Sequence, residues 1–182
     1  MSRALFVGRF QPPHLGHVEV AKRILEIHDE LVFAVGMASE SHTMRNPFTA
    51  GERIEMLRIS SRDAGIDLER IITVTVPTLD VHVASALFIL KYSPKVDEVV
   101  VGNRIVARMF QELGVKTRIP EPIDRARLSG ARVRELMARG DPEWKELVTP
   151  GTARFIEELG GPERLKWIWA QEEARVLVRE GV

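Results

Sequence analysis

Two imidazoles three residues apart, His14 and His17, flank Gly16 in the stretch Gly8-Arg9-Phe10-Gln11-Pro12-Pro13-His14-Leu15-Gly16-His17. An imidazole offers ring N–H donors, and Arg9 adds a cation that stays charged at any ordinary pH. Pro12 and Pro13 fix φ and stiffen the approach to the histidines. Gly16 has no Cβ, which lets phosphates come close to the backbone. Together these residue types suit the binding of a polyphosphate. For a lone histidine, capping and packing would be explanation enough; two at this spacing in a Gly/Pro turn point to a ligand.

The elements that must hold this turn lie on either side of it. Residues 4–7 are an unbroken apolar run closed by Gly8, which reads as a short strand buried on both faces. Val18, Ala21, Ile24, Leu25 and Ile27 follow at near-helical spacing. The histidines therefore stand at a helix N-terminus, where unpaired N–H groups favour anions. Residues 31–36 repeat the strand pattern and complete a β-α-β unit, hence parallel pairing and a right-handed crossover. Ligands of such sheets bind beyond the carboxyl ends of the strands, where the His14–His17 turn would lie. Residues 71–76, 97–103 and 115–119 supply three more strands. The expectation is an α/β fold, a doubly wound parallel sheet of about five strands with a C-terminal helical tail. Residues 1–182 read as a single domain, with an α/β core over 1–140 and a helical region over 141–182. In that region Trp144, Leu147 and Val148, then Phe155, Ile156 and Leu159, then Leu165, Trp167, Ile168, Trp169, Val176 and Leu177 suggest three short helices. Trp167 and Trp169 suit either a tail docked on its own chain or a subunit contact.

Composition narrows the function classes. Lys+Arg and Asp+Glu number 26 each, so the chain has no net charge. A general binder of nucleic acid or membrane surfaces usually carries a basic excess, so an anion site here should be local. The absence of cysteine excludes disulfides, thiolate nucleophiles and cysteine-ligated zinc. No apolar segment approaches the length of a membrane span, and a cytoplasmic protein is expected. No Gly-x-x-x-x-Gly-Lys loop is present, which leaves phosphate handling to imidazoles and arginines.

Two further blocks carry charge in telling places. The stretch from Met37 to Phe48 is longer than a plain strand-to-helix connection needs, and His42 and Arg45 on it are candidate phosphate contacts. Thr49 and Glu52 stand at capping-box spacing ahead of a helix that turns Ile54, Met56, Leu57 and Ile59 inward. Arg53, on that helix, has Glu52 and Glu55 as nearby partners. In Asp124-Arg125-Ala126-Arg127-Leu128-Ser129-Gly130-Ala131-Arg132-Val133-Arg134, Ser129 reads as a helix cap, and Val133, Leu136 and Met137 as an inner face. Four arginines crowd the N-terminal end of this helix, the wrong end for cations unless an anion is held there. Gly102-Asn103 ends a strand ahead of a helix carrying Ile105, Val106, Met109 and Phe110, and Asn103 can cap that helix or bond a ligand.

The first block resembles the opening signature of the nucleotidyltransferases that share a His-x-Gly-His loop. Ser41-His42-Thr43-Met44-Arg45-Asn46-Pro47-Phe48-Thr49-Ala50-Gly51-Glu52-Arg53 is similar to a block of the archaeal-type nicotinamide mononucleotide (NMN) adenylyltransferases. The Ser129 block resembles the superfamily's second signature, Ser-x-Thr followed by Arg, with Ala131 where threonine is usual. The resemblance spans roughly residues 5–137 and implies a Rossmann-like sheet and transfer of AMP from ATP to NMN. It implies His14, His17 and Arg134 as catalytic residues. It places Gly8, Arg9, Phe10, Gly16, Gly102, Asn103, Ser129 and Arg134 around ATP, and Arg9 and Arg45 on the NMN phosphate. Mg²⁺ would travel with ATP, since no carboxylate cluster suggests a metal cage built by the chain.

Residues 78–88 match the family poorly. A gapless alignment sets Thr78, His82 and Ser85 where the family has an aspartate, an asparagine and a tryptophan; a slip of one or two residues offers Asp80 and Phe88 instead. His82 and Phe88 could serve the nicotinamide ring, or Ala84, Leu87, Phe88 and Leu90 could form one apolar helix face. The partners implied are small nucleotides, with no nucleic acid and no membrane, and a homo-oligomer. Two other readings stay open: a sister transferase with FMN or pantetheine phosphate as acceptor, and a non-catalytic nucleotide-binding module, favoured by Ala131.

Overall fold

A computed structural model describes residues 1–78, 84–124 and 126–179, those after 172 by backbone alone. The apolar runs become five strands: β1 (Arg3–Gly8), β2 (Glu30–Val35), β3 (Ile71–Thr75), β4 (Glu98–Val101) and β5 (Thr117–Arg118). Every pairing is parallel and the order across the sheet is β3-β2-β1-β4-β5. The register sets Phe6 opposite Phe33 on one side and Val100 on the other.

Helices cover both faces, as a parallel sheet requires. Alternation along β1 divides the core. Ala4 and Phe6 pack with Val20, Ala21 and Ile24 of α1 (Leu15–Leu25) and Leu57 of α2 (Ala50–Asp63). Leu5 points the other way, toward Ala86 and Ile89 of α3 (Ser85–Lys91) and Ala107 and Phe110 of α4 (Arg104–Glu112). At the amino end of the sheet, buried Glu98 accepts Arg118 Nη2 at 2.8 Å and pairs with His28 Nε2 at 3.1 Å. The fold class read from the sequence is the one observed.

The C-terminal region differs from expectation. A 3₁₀ turn over Pro142–Leu147 leads to α6 (Pro150–Glu158) and then to α7 (Gly161–Arg179), which runs for 19 residues rather than forming a short helix. With α5 (Gly130–Arg139) they bury a further cluster that includes Phe48, Met56, Met137, Trp144, Ile156 and Leu165. Trp167 is 61% exposed, so it is not docked on its own chain, whereas its neighbour Ile168 is buried. No helix among the described residues is long and apolar enough to cross a membrane.

Several predicted inner faces are rotated by one position. On α2 the buried residues are Arg53, Met56, Leu57, Ser60 and Ser61, with Ile54 and Ile59 at the flanks. On α4, Ile105 is 70% exposed and Ala107 takes the inner place. On α3, Leu87 faces out, and Ala86 and Ile89 are the buried pair.

Candidate active site

β1 is flanked by β2 and β4, and the chain leaves β1 toward α1 on one face and β4 toward α4 on the other. A crevice opens at such a reversal of strand order, beyond the carboxyl ends. The turn after β1 fills its floor. A Cβ on Gly8 would come within 2.8 Å of the Phe10 ring, so the glycine admits that ring. Phe10 has φ 51° and is buried edge-on against Phe6 and Phe33. Any contact of Phe10 with a ligand therefore falls to its backbone.

The two imidazoles lie together, with ring centroids 3.7 Å apart. His14 is the N-cap of α1, and its backbone N–H donates to His17 Nδ1 at 3.1 Å. That bond puts the ring hydrogen of neutral His17 on Nε2. Phe10 packs edge-on at 4.9 Å from the His17 ring. The room beside Gly16 is taken by His14: a Cβ there would stand 3.0 Å from His14 Nδ1. That Nδ1 is buried and has no hydrogen-bond partner. Burial lowers His14 to a pKa of about 4, and burial together with His14 holds His17 well below the ordinary imidazole range. At neutral pH both rings are uncharged donors at the positive end of α1.

These shifts have a measurable consequence. Between about pH 6.5 and 4 the unfolded chain takes up a proton that native His14 refuses, so stability is complete above this window and is lost as pH falls through it. For His14 alone the loss approaches roughly 3 kcal/mol at the acid end. Urea unfolding at pH 7 and 4.5 is expected to show a smaller difference for His14→Gln than for wild type. An equal difference would mean that the imidazole is not its source.

Guanidiniums from three segments, Arg9, Arg45 and Arg134, lie within electrostatic reach of one another beside the turn that carries the histidines. Arg9 Nη1 donates to the Arg45 carbonyl and to Asn46 Oδ1, both at 3.4 Å. Arg134, on the first turn and a half of α5, donates from Nε to the Met44 carbonyl at 2.8 Å and from Nη1 to the Gln11 carbonyl at 2.7 Å. Gln11 belongs to the turn that carries His14 and His17, so the two signature blocks meet. Burial, and then the charges of Arg9 and Arg45, bring Arg134 down to about 10. Burial and then Arg45 lower Arg9 as well, with Glu40 opposing. Cations held this close depress one another until an anion arrives.

The backbone of this cradle is fixed by residues the sequence did not single out. Gln11 exchanges two bonds with Phe48: its Nε2 donates to the Phe48 carbonyl at 2.8 Å and its Oε1 accepts the Phe48 N–H at 3.0 Å. Fully buried Asn46 links Arg9 to Glu40, donating from Nδ2 to Glu40 Oε2 at 2.7 Å. Arg53, 0% exposed, pairs with neither Glu52 nor Glu55. It donates to the carbonyls of Arg9 (2.8 Å), Gly36 (2.7 Å) and Met37 (3.1 Å), the chain ends leaving β1 and β2. One signal was available: residues 53, 56, 57 and 60 share one helical stripe, and an arginine heading a buried stripe has to bond something inside.

The remaining expected residues are placed as follows. Ser129 caps α5, its Oγ accepting the Arg132 N–H at 3.2 Å. Asn103 caps α4, with Oδ1 accepting from Ile105 N at 2.9 Å and Val106 N at 3.3 Å. Gly102 and Asn103 are exposed beyond the end of β4. Arg45 is exposed on its loop, and His42, φ 58°, turns its Nδ1 to the Ser41 hydroxyl at 3.0 Å. Phe88 is half-buried and stacks on Tyr92 at 4.8 Å. His82 and Asp80 lie outside the described residues.

Known proteins share this architecture. Residues 5–136 match the family described as cytidylyltransferase-like. An uncharacterised protein of Aeropyrum pernix is 49% identical over 93% of the chain and 99% of its own length. A nicotinamide-nucleotide adenylyltransferase of Pyrobaculum neutrophilum is 46% identical over 91% of the chain and 93% of its own. A bifunctional NMN adenylyltransferase/ADP ribose pyrophosphatase of Francisella tularensis, crystallised with AMP and a manganese ion, superposes with a TM-score of 0.80 at 18% identity. That match covers 98% of this chain and 55% of the Francisella protein, and it bears on the fold alone. A parallel 3-2-1-4-5 sheet, a paired-histidine turn at its switch point and close likeness over nine-tenths of the length lead to one statement: the chain belongs to the cytidylyltransferase-like nucleotidyltransferases, in the group of the archaeal nicotinamide-nucleotide adenylyltransferases.

Proposed function

We propose that this nucleotidyltransferase moves the AMP group of ATP onto NMN, forming NAD and releasing pyrophosphate. The observation that carries the reading is that Arg9, Arg45 and Arg134 lie close enough to act on one another, and that Arg134 bonds the turn which carries two neutral imidazoles at the N-terminus of α1. One oxygen of the NMN phosphate attacks the α-phosphorus of ATP in line. The bond to the β-phosphate oxygen breaks, and its electron pair leaves with pyrophosphate. The attacking oxygen is already anionic at pH 7, so no general base and no covalent enzyme intermediate are required. The chain's work is alignment and neutralisation of charge.

In this reading His17 donates from Nε2 to the α-phosphate and His14 donates nearby along the triphosphate. Arg134 meets the β- and γ-phosphates. Ser129 adds its O–H, its oxygen being engaged by Arg132 N–H. The usual threonine hydroxyl is absent at Ala131, a loss of about 1 kcal/mol that backbone N–H groups and Arg134 offset. Arg9 and Arg45 hold the NMN phosphate, Gly8 and Gly16 serve ATP indirectly by admitting the Phe10 and His14 rings beside them, and Gly102 and Asn103 border the adenosine. His82 and Phe88 are the proposed neighbours of the nicotinamide. Among the described residues no three His, Asp or Glu side chains converge, so the Mg²⁺ of this proposal comes in on the phosphate oxygens of ATP. The reading includes a homo-oligomer working in the cytoplasm on small nucleotides.

Incubation with MgATP and, in separate reactions, NMN, nicotinate mononucleotide, FMN or pantetheine phosphate tests it. Pyrophosphate release with NMN, matched by NAD, is expected. Release with FMN or pantetheine phosphate alone, or ATP binding with no turnover on any acceptor, would overturn it.

A further inference from the structure

We infer that Arg164, on the C-terminal helix, is a positioning residue for the acceptor phosphate, acting through the loop that carries Arg45. The inference rests on the AMP transfer proposed above. The guanidinium of Arg164 grips Glu52 with two parallel bonds, Nη1 to Oε2 at 2.7 Å and Nη2 to Oε1 at 2.8 Å. The same Nη1 donates to the Pro47 carbonyl at 3.2 Å, and the guanidinium lies 5.8 Å from the centre of the Phe48 ring. Both partners are 17% exposed, so water competes little for this fork. Glu52 Oε2 also accepts the Thr49 N–H at 2.8 Å, which passes the grip to the end of the loop. Two turns further along α7, Glu172 Oε1 accepts the Met44 N–H at 3.4 Å.

The loop is thus held from behind by α7, and the carbonyls it presents forward are those that aim the cationic cradle. Arg45 offers its carbonyl to Arg9, Met44 to Arg134 and Phe48 to Gln11. Arg134 keeps a second bond to the Gln11 carbonyl, a main-chain atom of the turn after β1 that the loop touches only through the Gln11 side chain. Loosening the loop therefore falls on Arg45 and Arg9, the pair assigned to NMN, more than on Arg134. No part of Arg164 needs to touch a substrate.

Arg164→Ala is expected to raise KM for NMN about tenfold, while KM for ATP stays within about twofold and kcat within about threefold. Arg164→Lys, which keeps the charge but not the fork, should recover part of the change. Glu52→Gln retains an acceptor for Thr49 N–H and should reproduce the NMN-selective effect. The double variant should be no worse than Arg164→Ala, because the two residues act as a unit. Lys145→Ala, which breaks the exposed pair with Glu157 on the same region, should leave both KM values at wild type. Hydrogen exchange supplies a readout that needs no substrate: amides of residues 46, 48 and 49 should exchange at least about tenfold faster in Arg164→Ala, with β1 and β2 unchanged. Unchanged exchange there, equal rises in both KM values, or additive single effects would each overturn the inference. Failure of the wild-type chain to form NAD would overturn the proposed reaction, and exchange would still judge the loop.

Discussion

His17→Ala is expected to slow NAD formation roughly a hundredfold, the scale on which removing one preorganised donor acts on a transition state that gathers charge. The two nitrogens of this ring have separate tasks. Nδ1 accepts the His14 backbone N–H and closes the first turn of α1, while Nε2 is left to carry the hydrogen. Alanine removes both, and the lost cap should cost about 1 kcal/mol, a few degrees in melting temperature. Asparagine places an amide oxygen where Nδ1 was, and is expected to restore the melting temperature without restoring turnover. Glutamine reaches the position of Nε2 and should recover part of the turnover instead. Single-turnover measurement of NAD formation beside thermal melts separates the two tasks. If asparagine restored activity and glutamine did not, the α-phosphate role assigned to Nε2 would be wrong.

The second large effect is expected at Arg53, which touches no substrate in the proposed reaction. Its fork ties the carbonyls of Arg9, Gly36 and Met37, and its Nε returns to the Thr49 carbonyl at 3.1 Å. Arg53→Ala leaves three loop carbonyls without donors in a dry place and opens a cavity. A loss of about 4 kcal/mol follows, or roughly 10 °C in melting temperature for a domain of this size. Lysine, with one compact ammonium, cannot span the three acceptors and should recover less than half. Calorimetry checks this. A melting temperature within about 2 °C of wild type would mean that the loops leaving β1 and β2 are held by something else.

Much of this arrangement is legible in the sequence. Residues 4–7 and 31–36 are uniformly apolar because both faces of a parallel sheet are covered, and the structure makes them β1 and β2. The Thr49 and Glu52 box is local chemistry and appears as read, with Thr49 Oγ1 accepting the Glu52 N–H at 3.2 Å. Ser129, Val133, Leu136 and Met137 likewise cap and bury as their spacing dictates. Failures occurred where an element was too short or its partner too distant in sequence. In α3 and α4, 7 and 9 residues give too few turns to fix the phase, and Leu87 and Ile105 turned outward. The charged run after Trp169 hides a continuous α7, because Gln, Glu, Ala and Arg propagate a helix without any apolar pattern. Arg53, Gln11 and Asn46 find their partners through folding, and no spacing rule reveals a bond from one loop to the carbonyl of another.

Arg134 and Gln11 are 123 positions apart, and their bond joins α5 to the turn that carries the histidines. Loop closure over such a span comes late, after local helices and neighbouring strands have formed. Bringing mutually repelling guanidiniums together also works against the final docking of α5. A polyphosphate present at that stage would relieve the repulsion and act as a template for the last step. Binding to any preformed pocket raises the unfolding midpoint, but here added ATP should also speed the refolding phase in which α5 docks.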